Sequence, residues 1–280
     1  MEKIKKGDIV GRTSYGKDII FSVKRIMKSH SGEKIAILKG ITERIEADSY
    51  LEDLYLIKKE EAEEELKRLD AKVDLRIARG QKKKEKNKKE FETNSNRIFS
   101  NYITGKILHL DGDRKYSEKS LKIYQRMGLK AIVKNVPEYK QPKVVYQLLD
   151  FYNPDVLVIT GHDGLIKKDT GYDDIYNYRN SKYFIETVKE ARRYEKDVGG
   201  NIAIFAGACQ SYFEALIMAG ANFASSPARI LIDILDPLIV AEKIATADNL
   251  RYITIDDIAE ELRDGKRGVG GIGANRKKKE

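Results

Sequence analysis

The only cysteine of this 280-residue chain and one of its three histidines each follow an apolar run with the composition of a buried strand. His162 stands in Gly-His-Asp-Gly after DVLVIT, and Cys209 stands in Gly-Ala-Cys-Gln-Ser after IAIFA. A thiolate is a nucleophile toward a carbonyl carbon, and an imidazole can move the protons that such an attack requires. The two residues therefore predict a cysteine-dependent acyl-transfer site.

Each residue also has a simpler interpretation, because a lone cysteine is often a packing residue and a loop histidine often only polar. The pairing depends on position: both residues leave strand ends that a parallel sheet brings to one edge. His30 lies in a Ser-His-Ser-Gly turn and is predicted to be solvated. His109 lies within a strand, which favours a structural role but leaves it open as a second candidate partner.

The segment QSYFEALIMAG after Cys209 is predicted to be a helix that begins at the cysteine. The positive end of a helix dipole would favour the thiolate. Backbone amides at such a turn could also hold the oxyanion of a tetrahedral intermediate.

The positions of these residues depend on three predicted regions. From about residue 105 the chain alternates short apolar strands with amphipathic helices, which predicts an α/β domain, residues 97–280, with a three-layer, mostly parallel sheet. Residues 1–57 contain short β-prone runs and predict a small SH3-like β-barrel. Residues 58–96 are predicted to form a charged helical linker whose apolar stripe ends before Gly80. The stripe consists of Leu66, Leu69, Val73 and Ile77.

Composition narrows the function. The net charge of +9 comes from 53 basic and 44 acidic residues, but much of the excess lies in the linker and the last residues, so nucleic-acid binding is not favoured. The start of the chain lacks the apolar core of a signal peptide, and no apolar run approaches the roughly 20 residues of a membrane helix. We therefore expect a cytoplasmic protein. No metal or cofactor is expected, and GVGGIG at 268–273 is interpreted as a flexible tail because it does not open a helix after a strand.

A strand followed by His162, and a strand ending in Ala-Cys 47 positions later, resembles the caspase-like cysteine peptidases. VITGHDG together with FAGACQSYFEALIMAGANFASSP resembles the YabG family of sporulation-specific proteases, over essentially the whole chain. The resemblance implies a caspase/hemoglobinase-like fold and a cysteine endopeptidase of the mother cell that processes spore coat and cortex-associated proteins. It also implies association with the spore coat. Because Asp163 separates His162 from Gly164, the candidate oxyanion donors are the amides of Asp163, Gly164 and Cys209.

Related arginine-specific peptidases hold the substrate side chain on an acidic group. Asp111 and Asp113 follow the first strand of the α/β domain and are the predicted pocket residues. Asp163, Asp233 and Asp236 are reserve candidates. An arginine preference would also make the bonds after Arg76 and Arg79 candidates for self-cleavage.

Two other hypotheses stay open at this point. The chain could be a non-catalytic basic coat-assembly or nucleic-acid-binding protein whose barrel is the functional part. Alternatively, the same sheet could carry a different cysteine-dependent hydrolase or acyltransferase. Replacement of Cys209 separates the first hypothesis from both enzymes.

Overall fold

Two β-sheets organise the chain in the computed structural model, which describes residues 3–16, 18–29, 32–94, 104–166, 171–248 and 251–275. Side chains of residues 83–94 are outside this description, and so is His30. Within the described ranges, no helix has both the length and the apolar character needed to cross a membrane.

The first sheet is antiparallel and has five strands in the order β4-β3-β2-β1-β5. Alternate residues of its strands, such as Phe21 and Val23, are buried, while Lys24 is exposed. The short β-prone runs of the sequence thus do form strands; closure into an SH3-like barrel stays a prediction. The strands are β1 Ile9–Arg12, β2 Phe21–Lys28, β3 Lys34–Gly40, β4 Glu46–Tyr50 and β5 Leu54–Leu56.

The second sheet has six strands in the order β11-β10-β9-β8-β6-β7, all parallel except the β10–β11 pair. This agrees with the predicted α/β class and mostly parallel sheet. The strands are β6 Lys106–Asp111, β7 Lys130–Asn135, β8 Val156–Thr160, β9 Ala203–Ala206, β10 Phe223–Ser225 and β11 Val269–Gly271. The helices are α1 Lys59–Asn94, α2 Arg114–Arg126, α3 Gln141–Tyr152, α4 Ser181–Val198, α5 Phe213–Met218 and α6 Leu235–Thr246.

Successive strand residues of the second sheet enter opposite cores, as the two-residue period of a strand requires. Ile107 joins a core with residues of α1, α2 and α6, whereas Leu108 joins a core with residues of α3, α4 and α5. Helices therefore cover both faces of the sheet. This is why its strands are apolar throughout.

Helix α1 spans most of the predicted helical linker and also packs on the α/β unit. It continues past Gly80 to Asn94, and its apolar stripe packs on the α/β unit, where Val73 and Ile77 are buried beside Ile123 and Ile239. The Arg76 guanidinium donates to the Glu261 carbonyl at 2.7 Å and pairs with Asp233 at 3.3 Å. Arg76 and Arg79 therefore lie in a docked helix, and self-cleavage after either stays a prediction that would require the helix to unwind locally.

The packing of α1 can be measured by truncating its buried stripe. We expect Ile77→Ala to lower the free energy of unfolding by about 2–4 kcal/mol, because its side chain is 5% exposed in the core. Leu75→Ala, on the exposed face of the same helix, is the matched control and should cost no more than about 0.5 kcal/mol. Urea unfolding followed by circular dichroism checks both; equal losses would contradict the docked helix.

The glycine-rich segment near the carboxyl end is an edge strand, so its interpretation as a flexible tail is wrong. Val269–Gly271 forms β11 and pairs antiparallel with β10. A Cβ on Gly271 would lie 2.2 Å from the Asn222 carbonyl oxygen. Glycine is therefore needed here for the close approach of two backbones.

Candidate active site

The carboxyl ends of three adjacent strands bring together the residues predicted to do chemistry. β6 pairs with β8, and β8 pairs with β9, all in parallel. Asp111 ends β6, His162 follows β8 by two residues, and Cys209 follows β9 by three. The three residues lie at one edge of the sheet, as the sequence predicted.

Cys209 is fully buried in this structure. Its sulfur accepts a hydrogen bond from the Ile232 amide at 3.4 Å, and its side chain belongs to the apolar cluster of the first sheet with Leu38 and Ile45. Burial, followed by the negative charge of Glu43, raises the pKa of the Cys209 thiol to about 12. The sulfur is therefore a neutral thiol at neutral pH.

The predicted helix dipole does not act on Cys209. Helix α5 begins only at Phe213, four residues after the cysteine, and Gln210 has a φ of 56°. The left-handed backbone at Gln210 breaks the helical path, and the Ser211 hydroxyl accepts from the Ala208 amide at 2.9 Å instead. The prediction of a helix beginning at the cysteine is wrong for this reason.

His162 lies fully within the protein and is neutral. Its Nε2 hydrogen-bonds to the Gly40 carbonyl at 3.2 Å, which assigns the proton to that nitrogen and leaves Nδ1 as an acceptor without a partner among the described residues. Burial, together with the charges of Lys39 and Arg44, lowers the pKa of His162 to about 4. Within the described part of the chain, no hydrogen bond joins the imidazole to the Cys209 sulfur.

The Glu138 carboxylate anchors the backbone of the loop that carries His162. The sequence analysis did not predict this contact. The His162 amide donates to Glu138 Oε1 at 2.9 Å. A Cβ on Gly161 would lie 2.5 Å from the same oxygen, so the glycine before the histidine makes room for this carboxylate. A glutamate in a separate turn gives no sequence signal for this contact.

The Asp163 side chain connects the loop after β8, which carries His162, to the loop after β9, which carries Cys209. It does not line a substrate site. Its carboxylate accepts from the Ser211 hydroxyl at 2.8 Å and also from the Ser181 hydroxyl. Burial raises the pKa of Asp163 to about 6 against these hydrogen bonds. Ser211 in turn accepts from the Ala208 amide, directly before Cys209. Asp163 is thus a positioning residue, and its side chain is not free to receive a substrate.

Asp111 lies in a fully buried cluster of polar side chains. Its Oδ2 accepts from Arg44 Nη1 at 2.5 Å and from the Thr160 hydroxyl at 3.0 Å. The Arg44 guanidinium also lies 4.3 Å from the centre of the Tyr116 ring. Burial raises the pKa of Asp111, but the charge of Arg44, the neighbouring His109 and the hydrogen bonds to the carboxylate together lower it below its usual value, so the carboxylate stays ionised. Sequence reasoning missed Arg44, since nothing in a hairpin loop indicates which distant strand end it will reach.

His109 belongs to the buried polar cluster around Asp111 and not to the candidate dyad. Its ring hydrogen-bonds to the Thr160 hydroxyl at 2.7 Å and to the Tyr124 hydroxyl at 3.2 Å. Burial lowers the pKa of His109 to about 3. A neutral, doubly bonded ring within β6 has a structural role.

The other predicted acidic residues have structural partners. Asp113 caps α2 by accepting from the Lys115 and Tyr116 amides at 2.7 and 3.1 Å, and it pairs with Lys39 at 2.6 Å. Asp236 lies beside Asp233 and accepts from the Asp233 amide at 2.9 Å. Of the five aspartates considered from the sequence, Asp111 is the one whose carboxylate forms a fully buried ion pair with an arginine at this edge.

The three candidate oxyanion donors differ in what they bind. The Asp163 amide donates to the Arg44 carbonyl at 3.3 Å, and the Gly164 amide donates to the Asp163 carboxylate at 2.9 Å. No hydrogen bond among the described residues uses the Cys209 amide. The Asp163 amide binds a carbonyl oxygen from another segment and the Cys209 amide has no partner among the described residues, so both remain candidates, whereas the Gly164 amide binds the adjacent carboxylate. The described ranges contain no group of three histidine, cysteine, aspartate or glutamate side chains arranged for a metal ion.

Comparison with known proteins places the chain among the peptidases. The sequence model of YabG peptidase U57 matches residues 5–280, and the chain belongs to this family. It is 39% identical over 271 residues to the sporulation-specific protease YabG of Bacillus subtilis (strain 168), which covers 95% of this chain and 93% of that protein. This similarity supports a protease of sporulation. No solved structure matches the chain.

The raised pKa of the cysteine gives a direct pH test. A free cysteine ionises near pH 8.5, but we expect Cys209 to show no thiolate absorption step between about pH 7 and 10, because burial disfavours the charged sulfur. The measurement is the ultraviolet absorption of the wild type minus that of Cys209→Ala, which cancels the tyrosines. A step at or below about pH 8.5 would mean that the sulfur is solvated or paired with a cation.

Proposed function

We propose that this chain is a cysteine endopeptidase of sporulation that cleaves after arginine in spore coat and cortex-associated proteins. In this proposal Cys209 is the nucleophile and His162 is the general acid and base. Asp111 receives the arginine side chain, and the amides of Asp163 and Cys209 hold the oxyanion. The family match supports the peptidase activity, and the similarity to a sporulation-specific protease supports the setting.

The observation that carries the arginine preference is the buried pair of Arg44 and Asp111, beside both catalytic loops. A pocket that already holds one guanidinium, on a carboxylate and against the Tyr116 ring, has the chemistry to hold another. The neighbouring Asp163 amide binds the carbonyl of that same arginine. The group proposed to bind the arginine side chain and the amide proposed to bind its carbonyl oxygen are thus spaced so that one arginine residue contacts both.

The proposed reaction follows from these positions. His162 first takes the proton of the Cys209 thiol on Nδ1, and the resulting thiolate attacks the carbonyl carbon after the arginine. The oxyanion that forms is held by the backbone amides. His162 gives a proton to the leaving amine as the C–N bond breaks, which leaves an acyl-enzyme. His162 then takes a proton from water, which attacks the thioester and releases Cys209. Nδ1, which has no partner among the described residues, is the nitrogen proposed to carry this proton.

An affinity label tests the nucleophile and the pocket together. We expect a peptidyl arginyl chloromethylketone to modify Cys209 alone, as located by peptide mass mapping after prolonged incubation. The matched reagent with citrulline, which is similar in shape but uncharged, should react at least about tenfold more slowly, because it loses the charge pairing with Asp111. Equal rates would contradict the acidic pocket, and modification of other residues would contradict the nucleophile.

A further inference from the structure

The loop between β3 and β4, residues 41–45, lies across the carboxyl edge of the parallel sheet. The His162 imidazole hydrogen-bonds to the Gly40 carbonyl, and the Glu46 amide donates to the Asp163 carbonyl at 2.8 Å. Ile45 forms a parallel β-bridge with Asp163. Main-chain hydrogen bonds of this kind are how a protein holds an extended peptide segment as an added strand.

Arg44 binds as an arginine substrate would bind under the proposed function. Its side chain is 0% exposed, with Nη1 on Asp111 and 3.4 Å from the Thr160 hydroxyl. Its carbonyl oxygen accepts from the Asp163 amide, a proposed oxyanion donor. One residue of the first sheet therefore fills both the side-chain pocket and the carbonyl site.

The loop also encloses the nucleophile. Ile45 packs in the apolar cluster that buries Cys209, and the charge of Glu43 acts on the sulfur. Covered in this way, the thiol is neutral and has no hydrogen bond to His162 among the described residues. A peptide held here is thus bound without being positioned for attack.

Contacts at the outer side of the loop, which we call the rim, hold it in place, yet two nitrogens of the buried Arg44 guanidinium lack hydrogen-bond partners among the described residues. Arg179 Nε donates to the Glu46 carbonyl at 3.0 Å and its guanidinium pairs with Asp48, while Arg263 pairs with Glu43 at 3.5 Å. Arg44 Nε and Nη2 have no hydrogen-bond partner in the described part of the protein. Buried donors without partners cost free energy, which Arg44 regains as hydrogen bonds to water when the loop leaves the site.

We infer that the β3–β4 loop is a built-in substrate mimic, with Arg44 in the position of the substrate arginine, and that it closes the site until it is displaced. This inference rests on the proposed function, because it assigns Asp111 as the arginine pocket and Cys209 as the nucleophile. The enzyme described here is accordingly in a closed state. Its substrates are chains that present an arginine in an extended segment able to replace residues 43–46.

Displacement of the loop can be followed on Cys209 without any assay of peptidase activity. Arg44→Gln removes the guanidinium that anchors the loop, and we expect iodoacetamide to alkylate Cys209 at least about tenfold faster than in the wild type, measured by intact mass. Asp48→Asn loosens only the rim, and we expect a smaller increase of about two- to fivefold. Asp74→Asn, which removes a similar surface ion pair with Arg126, is the matched control and should leave the rate unchanged.

Two further comparisons interpret the result. Ile77→Ala destabilises the chain away from the loop, so an increase confined to the loop variants excludes global unfolding. If Arg44→Gln is folded by circular dichroism and its alkylation rate equals that of the wild type, the inference is wrong. If Arg44→Gln does not fold, Asp48→Asn decides: a rate no higher than that of Asp74→Asn overturns the inference.

Hydrolysis of an arginyl peptide anilide separates this inference from the proposed function. Faster alkylation together with a lower KM for the anilide in Arg44→Gln supports both. Faster alkylation with no cleavage by any variant leaves the loop as a cover but contradicts the peptidase. Unchanged alkylation in an active enzyme contradicts the loop and leaves the peptidase in place.

Discussion

Cys209→Ala is expected to reduce cleavage of arginyl substrates by at least about 1000-fold, because the proposed covalent step requires a thiolate. Cys209 is the only cysteine of the chain, so no second thiol can substitute for it. The measurement is kcat/KM on an arginyl peptide anilide, with the Arg44→Gln background used to keep the site open.

The control for this variant is its stability. Cys209 is a small buried side chain whose sulfur accepts one long hydrogen bond from the Ile232 amide. We therefore expect the loss of stability to stay near about 1–2 kcal/mol, small enough to leave the protein folded. Activity above about one tenth of that of Arg44→Gln alone, in the folded double variant, would contradict a cysteine mechanism and would favour the non-catalytic hypothesis for this thiol.

Asp111→Asn is expected to lower the preference for arginine over citrulline at the cleavage site by about 30- to 1000-fold, because a buried guanidinium would lose its charged partner. The ratio of kcat/KM values for the two substrates is the proper measurement. The same substitution would also loosen Arg44 in the closed state, but that effect applies equally to both substrates and cancels in the ratio.

Asp113→Asn is the matched control, two residues away on the same strand end. Its carboxylate caps α2 and pairs with Lys39, and asparagine is also a good helix cap. We expect the arginine-to-citrulline ratio to stay within about threefold of the wild type, with a stability loss of about 1 kcal/mol or less. A ratio that falls with Asp113→Asn but not with Asp111→Asn would contradict the proposed role of Asp111 and would favour Asp113 as the pocket residue.

The strand ends explain why much of the candidate site could be predicted without a structure. The apolar runs before Asp111, His162 and Cys209 could be buried only between two layers of helices, and parallel strands bring their carboxyl ends to one edge. The alternation of helix and strand indicated the class and the sheet type. The turn after β9 could not be predicted in the same way. Gln210 has a left-handed backbone conformation, so α5 begins four residues after Cys209, and no residue type there indicates this conformation.

Long-range packing explains two further features of the chain, in the linker helix and near the carboxyl end. The basic segment after Gly80 has nothing to bury, yet the helix continues because its earlier turns are fixed by Val73 and Ile77 on the α/β unit. Val269–Gly271 forms an edge strand because β10 offers an edge for pairing, and at Gly271 the two backbones approach too closely for a side chain. Such outcomes depend on the partner surface, which lies far away in sequence.

The sequence by itself determined the order of strands and helices along the chain, the edge at which chemistry could occur, and the residue types available there. Only the tertiary structure decided that the first sheet docks on this edge, with Arg44 paired with Asp111 and Ile45 in the same apolar cluster as Cys209. The physical reason is that hydrophobic periodicity is a local property. The contact between a hairpin loop and a strand end 67 positions away depends on how two separately formed surfaces fit together.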